Sequence, residues 1–238
     1  MATTYLLFGR NILEEALSVG AKVTEIYFEN DGSEKFIRAA LESAKIRNIA
    51  LKRGLPSEVR DSSHQGVAFR VEHDFYIRNL EIDERKLPRI LLCNHLEDVQ
   101  NLGSIIRSAA AFGVNLIVHE NRRSVALNAV AIKISAGQAF RMKFFEVSNL
   151  GPLCKDLMEA GYQTVGLDSD ADSVDLYSWK PRLPMAMIVG SEAEGLSKSL
   201  QSFIELKVQI SMIAGVESLN VSNATSVALS WAYSQTRT

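Results

Sequence analysis

Polar side chains and glycines in three short stretches have types and spacing that could hold a ligand. Asn101 and Arg107 lie in N-L-G-S-I-I-R. There Arg107 follows Gly103 by four residues, so the two share one helix face. Helical side chains lean toward the N-terminus, which carries Arg107 back over a position with no side chain. A glycine inside a helix costs about 1 kcal/mol relative to alanine. That cost is understandable where something must approach the backbone. Ser218 and Asn220, in S-L-N-V-S-N-A, open a C-terminal helix whose first turn is crowded with polar groups. Ser and Asn are favoured N-caps, so each of these residues, like Asn101, reads singly as a cap, and Arg107 singly as a solvated charge.

Between them, V-G-S-E-A-E-G-L-S (189–197) takes an apolar strand into a two-glycine loop. Open α/β sheets hold ligands at such strand ends. The G-x-x-x-x-G spacing imitates a phosphate loop. Leu196, however, replaces the lysine, and Glu192 and Glu194 would repel phosphate. A nucleotide triphosphatase is disfavoured, and an acidic loop suits a cationic ligand better. No G-x-G-x-x-G follows a strand, so dinucleotide binding is disfavoured too.

Other chemistry-bearing residues carry less. His64 beside Gln65 and Gly66 reads as a turn residue with a satisfied hydrogen bond. Cys93 and Cys154 are too far apart in sequence for a metal spacing or a disulfide framework. Cys93, in I-L-L-C, is expected to be a small buried hydrophobe. The acidic run D-S-D-A-D (168–172) lacks the Gly and Glu that complete a calcium loop, so no metal is expected and the run reads as a solvated turn.

The elements that must position these groups follow an α/β pattern. In 238 residues, 47% hydrophobic and 23% charged, there is ample core for one large domain or two modest ones. Net charge is −2, so any nucleic acid must be met by local basic patches. Scattered Arg10, Lys52, Arg53, Arg60 and Arg70 read as surface charges, or as a group gripping phosphates. No stretch has the length of a membrane span and no leader is evident, so a cytoplasmic protein is expected. A helix is expected after Gly9, a strand over 24–28, a helix over 33–47 capped by Ser33, a strand over 49–52, a short helix over 56–61 and a strand over 67–71. The charge-rich stretch from Asp74 to Pro88 marks a boundary: domain 1–75, linker 76–88, domain 89–238. Beyond it, strands at 89–94, 115–120, 144–147, 162–167 and 185–189 alternate with helices at 101–112, 125–134 and 150–160. The run R-I-L-L-C-N suits a strand covered on both faces.

Taken together, N-L-G-S-I-I-R, V-G-S-E-A-E-G-L-S and I-S-M…S-L-N-V-S-N-A resemble the three motifs of the SpoU (TrmH-like) family of RNA ribose 2′-O-methyltransferases, in the SPOUT superfamily. G-R-N-I-L-E-E-A-L and H-Q-G-V-A resemble the family's N-terminal substrate-binding module. The resemblance implies a small α/β RNA-binding domain followed by a parallel-sheet catalytic domain with a trefoil knot, a feature that periodicity would never have predicted. It implies S-adenosylmethionine as cofactor and a homodimer with active sites at the subunit interface. The matching positions give Asn101, Arg107, Glu192, Ser218 and Asn220 catalytic roles. Gly190, Ile210, Met212, Leu219 and Asn220 would hold the cofactor, and Arg10, His64 and Gln65 would contact RNA. Ser211 stands where the family usually has proline, so cofactor affinity is the property this substitution touches. Asn11 stands where many relatives carry histidine.

The family's proposal makes the motif arginine a base. A guanidinium is effectively always protonated in proteins, which favours an electrostatic role for Arg107 at the developing alkoxide or a neighbouring phosphate. Ribosomal RNA is the first expectation for substrate, and transfer RNA is close behind. Two other classes remain: a catalytically silent RNA-binding or ribosome-assembly protein of the same fold, and a small-molecule α/β enzyme resting on the glycine loop alone.

Overall fold

The computed structural model describes residues 3–46, 48–59, 63–170, 172–191, 195–214 and 218–237. In chain order the elements are β1 (Thr3–Phe8), α1 (Arg10–Ser18), β2 (Lys22–Phe28), α2 (Asp31–Ser43), β3 (Ala50–Arg53), β4 (Val67–His73), β5 (Arg89–Cys93), α3 (Val99–Ala111), β6 (Leu116–Glu120), α4 (Ala129–Ile134), β7 (Lys143–Val147), α5 (Leu150–Glu159), β8 (Gln163–Leu167), β9 (Val174–Asp175), β10 (Met185–Val189), β11 (Leu206–Gln209) and α6 (Val221–Thr236). They form two compact units, one of Met1–Phe75 with Leu127–Arg141 and one of Tyr76–Ala126 with Met142–Thr238. Leu127–Arg141 thus packs with the N-terminal stretch, although it lies inside the span expected to be a single C-terminal domain. Its apolar residues Ala131, Ile132, Ala139 and Phe140 are buried, and the Phe140 ring meets Phe75 with centroids 5.1 Å apart. Contacts between residues so far apart in sequence leave no local trace.

In the first unit four strands pair in the order β1-β4-β2-β3. β4 runs antiparallel to β1 and β2, while β3 is parallel to β2. The strand β1 was not anticipated: T-T-Y-L-L-F has no clean alternation, because it lies at an edge with its first residues exposed. α2 starts two residues earlier than expected. Its cap is Asn30, whose side chain accepts from the Ser33 N–H at 3.0 Å, so Ser33 is not the cap. Among the described residues, a single 3-10 turn, Ser57–Val59, forms where a short helix over 56–61 was expected.

The second unit is built on seven strands in the order β7-β6-β5-β10-β8-β11-β9, all parallel. The wholly buried β6 and β10 (L-I-V-H-E and M-A-M-I-V) explain the near-continuous apolar runs, since helices cover both faces of such a sheet. Cys93 and Cys154 are buried in this unit, and burial pushes both thiols up to about 12, so neither is a nucleophile. α3 begins at Val99 because Asp98 caps it through Gln100 N–H at 2.9 Å. That places Asn101 inside the first turn and frees its side chain for another partner. α4 begins only at Ala129, after the expected start at 125, because Asn128 accepts from Val130 N–H and Ala131 N–H.

One glycine of the first unit is demanded by both backbone and space. Gly66 has φ +76°, and a Cβ there would lie 2.2 Å from Oγ of the buried Ser33. Gly66→Ala is expected to destabilise by roughly 2 kcal/mol or more, combining left-handed strain with overpacking. Urea denaturation of the variant checks this.

Candidate functional site

The carboxyl ends of three neighbouring strands, β10, β8 and β11, open into one cleft of ≈ 570 Å³. Its walls are Leu167, Asp168 and Ser169 after β8, Val189, Gly190, Ser191 and Gly195 after β10, Ile210 and Met212 after β11, and Ser218 to Val221 with Ala224 at the start of α6. Ligand clefts of about this size are common, and the carboxyl edge of a parallel sheet is where they form.

Two hydrogen bonds shape the loop after β10: Ser191 N–H donates to the Gly195 carbonyl at 3.2 Å, and Gly195 N–H to that of Ser191 at 3.0 Å. The returning chain lies directly on Gly190. A Cβ there would come within 2.1 Å of the Gly195 carbonyl oxygen, so only glycine fits. Under the loop, Leu196 fills the space above Gly166, where a Cβ would meet Leu196 Cδ1 at 2.7 Å.

The opposite wall is fixed by a pair of asparagines. Asn220 caps α6, its Oδ1 accepting from Ser222 N–H at 2.9 Å and Ser222 Oγ at 2.6 Å. Its Nδ2 donates to Asn101 Oδ1 at 2.8 Å. Cap and functional residue are therefore compatible descriptions of Asn220, because the two ends of one amide do separate work. Further along, Ser108 Oγ meets Ser226 Oγ at 2.6 Å and Phe112 meets Tyr233. α3 and α6 thus run in the same direction with both N-termini near the cleft. Helix N-termini carry partial positive charge and unpaired N–H groups.

Of the residues expected at the site, Gly190, Ile210, Met212, Ser218, Leu219 and Asn220 line this cleft, and Asn101 is bonded to Asn220. Arg107 is exposed and is not among the described lining residues. It sits six positions beyond Asn101, about 9 Å along α3 and on a different face. Among the described residues it has no hydrogen-bond or ion-pair partner. Glu192 lies outside the described residues.

Two features were not legible beforehand. Asp168 and Ser169 belong to the cleft, although the run 168–172 reads as a solvated turn. Only Asp170 and Asp172 behave that way, sharing Lys207 Nζ at 2.6 and 3.3 Å. Burial raises the Asp168 carboxyl above its ordinary range. No described residue lining the cleft is basic. Ser211, in the proline position, donates its hydroxyl to Asp175. That bond, together with Tyr177 N–H at 2.8 Å, holds the Asp175 carboxyl below its usual range. A side-chain tether thus restrains the exit of β11 where a pyrrolidine ring would have done so.

In the first unit, Arg10, His64 and Gln65 come together. Arg10 N–H donates to Gln65 Oε1 at 3.0 Å and Arg10 Nε to the Gln65 carbonyl at 3.2 Å. Gly66 N–H donates to His64 Nδ1 at 2.9 Å, as expected of a turn histidine. Lys52 and Arg70 both pair with Glu25, and Arg53 pairs with Asp31. Arg60 lies outside the described residues.

Known proteins place this architecture. Residues 88–230 match the family model described as SpoU rRNA Methylase family. An uncharacterized tRNA/rRNA methyltransferase of Mycolicibacterium vanbaalenii is 33% identical over 95% of this chain and 75% of its own length. The 23S rRNA (guanosine-2′-O-)-methyltransferase RlmB of Yersinia pestis is 33% identical over 80% of this chain and 79% of its own. In fold, the chain is similar to the SpoU methyltransferase AviRb of Streptomyces viridochromogenes, solved in complex with the cofactor AdoMet. The TM-score is 0.77 at 21% identity, over 98% of this chain and 90% of that one.

Loss of the Asn220 side chain removes a helix cap and the bridge to α3 together. Asn220→Ala is expected to lower unfolding free energy by about 1–2 kcal/mol. Ser222→Ala, which keeps the bridge, should cost less than half of that. Paired urea titrations distinguish the two.

Proposed function

The chain belongs to the SpoU rRNA Methylase family, and from that premise we propose that it methylates a ribose 2′-hydroxyl of structured ribosomal RNA. It is an S-adenosylmethionine-dependent RNA methyltransferase. The choice of ribosomal over transfer RNA, and the residue roles below, are inferences from this chain's chemistry and its relatives. The observation that carries the proposal is the cleft at the ends of β10, β8 and β11, with Asp168 in its wall and no basic residue among those described. Such a wall offers polyphosphate no side-chain cation, and its one carboxylate can face the positive groups of a sulfonium cofactor.

When bound, the cofactor supplies an already electrophilic methyl group, so the protein's task is orientation and charge. Gly190, Ile210, Met212 and Leu219 would hold it by backbone and apolar contact. Asp168 would face its hydroxyl or cationic groups. Asn101, Ser218 and Asn220 would orient a ribose hydroxyl, and Arg107 would stabilise negative charge on the oxygen or an adjoining phosphate. Glu192 would orient Arg107 or the partner's loop. The first unit, with Arg10, His64 and Gln65, would dock the RNA by backbone contacts and shape.

A homodimer fits the apolar surface of the second unit. Ile213 is 81% exposed and Tyr177 58% exposed, with Met212 and Leu219 also exposed nearby in sequence. Large apolar residues left in water at a cleft rim mark a surface that another chain covers. An Arg107 that does not line its own chain's cleft fits a site completed by a second copy. Ile213→Lys is expected to shift the chain from dimer to monomer in sedimentation equilibrium, with activity falling in parallel. A wild-type chain that sediments as a monomer refutes the dimer.

Labelled S-adenosylmethionine incubated with total RNA should place label on a ribose of ribosomal RNA; label confined to transfer RNA transfers the substrate assignment there. Arg107→Ala should lower turnover about 10²–10³-fold. Arg107→Lys should recover part of it without moving the pH–rate profile. A profile that follows lysine's titration instead assigns Arg107 as the base.

A further inference from the structure

The loop that lies on Gly190 is gripped from beneath by side chains outside the cleft. After Gly195 the chain passes the buried Leu196, and at Ser197 its N–H donates to Asn94 Oδ1 at 2.9 Å. Asn94, 1% exposed, follows β5 directly, and its own N–H donates to the Val189 carbonyl at 2.9 Å, the last residue of β10. Its Nδ2 donates to Glu120 Oε2 at 2.9 Å. Glu120 ends β6, is 7% exposed, and accepts at Oε1 from Leu150 N–H, the first residue of α5, at 3.1 Å. His95 Nε2 lies 3.2 Å from Glu120 Oε2.

We propose that Asn94 and Glu120 are positioning residues for S-adenosylmethionine: the Glu120 carboxylate orients the Asn94 amide, which holds the Ser197 main chain and with it Gly195 against Gly190. This rests on the cleft being the cofactor site. The chemistry of the line allows few alternatives. Both ends, Leu150 N–H and Ser197 N–H, are main-chain donors that need acceptors. The two side chains between them must therefore present oxygen outward on both sides and exchange one donor–acceptor contact in the middle. An acid and an amide do this in either order, with the His95 ring taking the tautomer that donates to a carboxylate or accepts from an amide. Two amides leave one N–H facing another N–H. Two acids set like charges against each other in a buried site. A buried polar group left without its partner costs more than its hydrogen bond contributes. The loop follows the side chains because Ser197 lies two residues beyond Gly195, and Gly195 is locked to Ser191 by the paired hydrogen bonds.

Asn94→Asp places two acids in the line, and Glu120→Gln places two amides. The double variant Asn94→Asp, Glu120→Gln restores an acid and an amide with their order exchanged. S-adenosylmethionine affinity of the full chain is measured by titration calorimetry, with urea denaturation alongside. Each single variant should bind about tenfold more weakly or worse, and the double variant within about threefold of wild type. Urea midpoints that fall without any change in affinity overturn the proposal, as does a double variant no better than the singles. Should a single variant fail to fold, the double decides: folding with binding supports the proposal, folding without binding overturns it. If the unaltered chain itself binds no S-adenosylmethionine, the cofactor assignment of the cleft fails and the proposal with it, an outcome visible before any variant is made.

Discussion

The hydrogen bond from Asn220 to Asn101 is the constraint on which the cleft end of the second unit depends. It sets the first turns of α3 and α6 side by side at the carboxyl edge of the sheet. It also removes one end of the Asn220 amide from competition with the cap, whose acceptor is the other end. One side chain therefore starts α6, ties it to α3 and forms part of the cleft wall. Helix packing continues the alignment through Ser108 and Ser226. A single neutral hydrogen bond contributes only about 1 kcal/mol. Its importance is geometric, since it decides where two helix N-termini point.

Facing that wall is a loop whose path depends on absent side chains. Gly190 has no room for a Cβ because the Gly195 carbonyl occupies the space, and Gly166 has none because Leu196 and Ile204 occupy it. Their loop enters a cleft whose described lining is acidic or neutral, in a chain of net charge −2. Charge at this site is a local matter: Asp170 and Asp172 are satisfied by Lys207, while Asp168 stays in the cleft wall. The same separation of local from global charge holds in the first unit. There Glu25 and Asp31 occupy three of the basic residues, while Arg10 is bonded to Gln65.

Errors in the local reading have specific causes. Asn101 reads as a cap because short amides favour that position; Asp98 three residues earlier takes the cap instead, and Asn101 accepts from Asn220. Ser33 and Asn30 are alternatives of the same kind. The strand Thr3–Phe8 lies at an edge, where alternation is weak. Asp168 looked solvated with its acidic neighbours because nothing in D-S-D-A-D marks the one carboxylate that turns inward. Ser211 lacks the φ restraint that proline would supply, yet the serine makes a bond to Asp175 that proline cannot make.

The sequence by itself determined the alternating α/β pattern, a strand covered on both faces, the three motif stretches and the resemblance they carry, which implied the parallel sheet. These are legible because periodicity, glycine placement and residue order are local properties of the chain. Tertiary structure alone decided that Leu127–Arg141 packs with the N-terminal unit and that Asp168 lines the cleft. It alone decided that Arg107 does not line it, and that Asn94 and Glu120 stand behind the loop. Each of these depends on contacts between residues tens of positions apart, where the partner's identity leaves no mark on the neighbouring sequence.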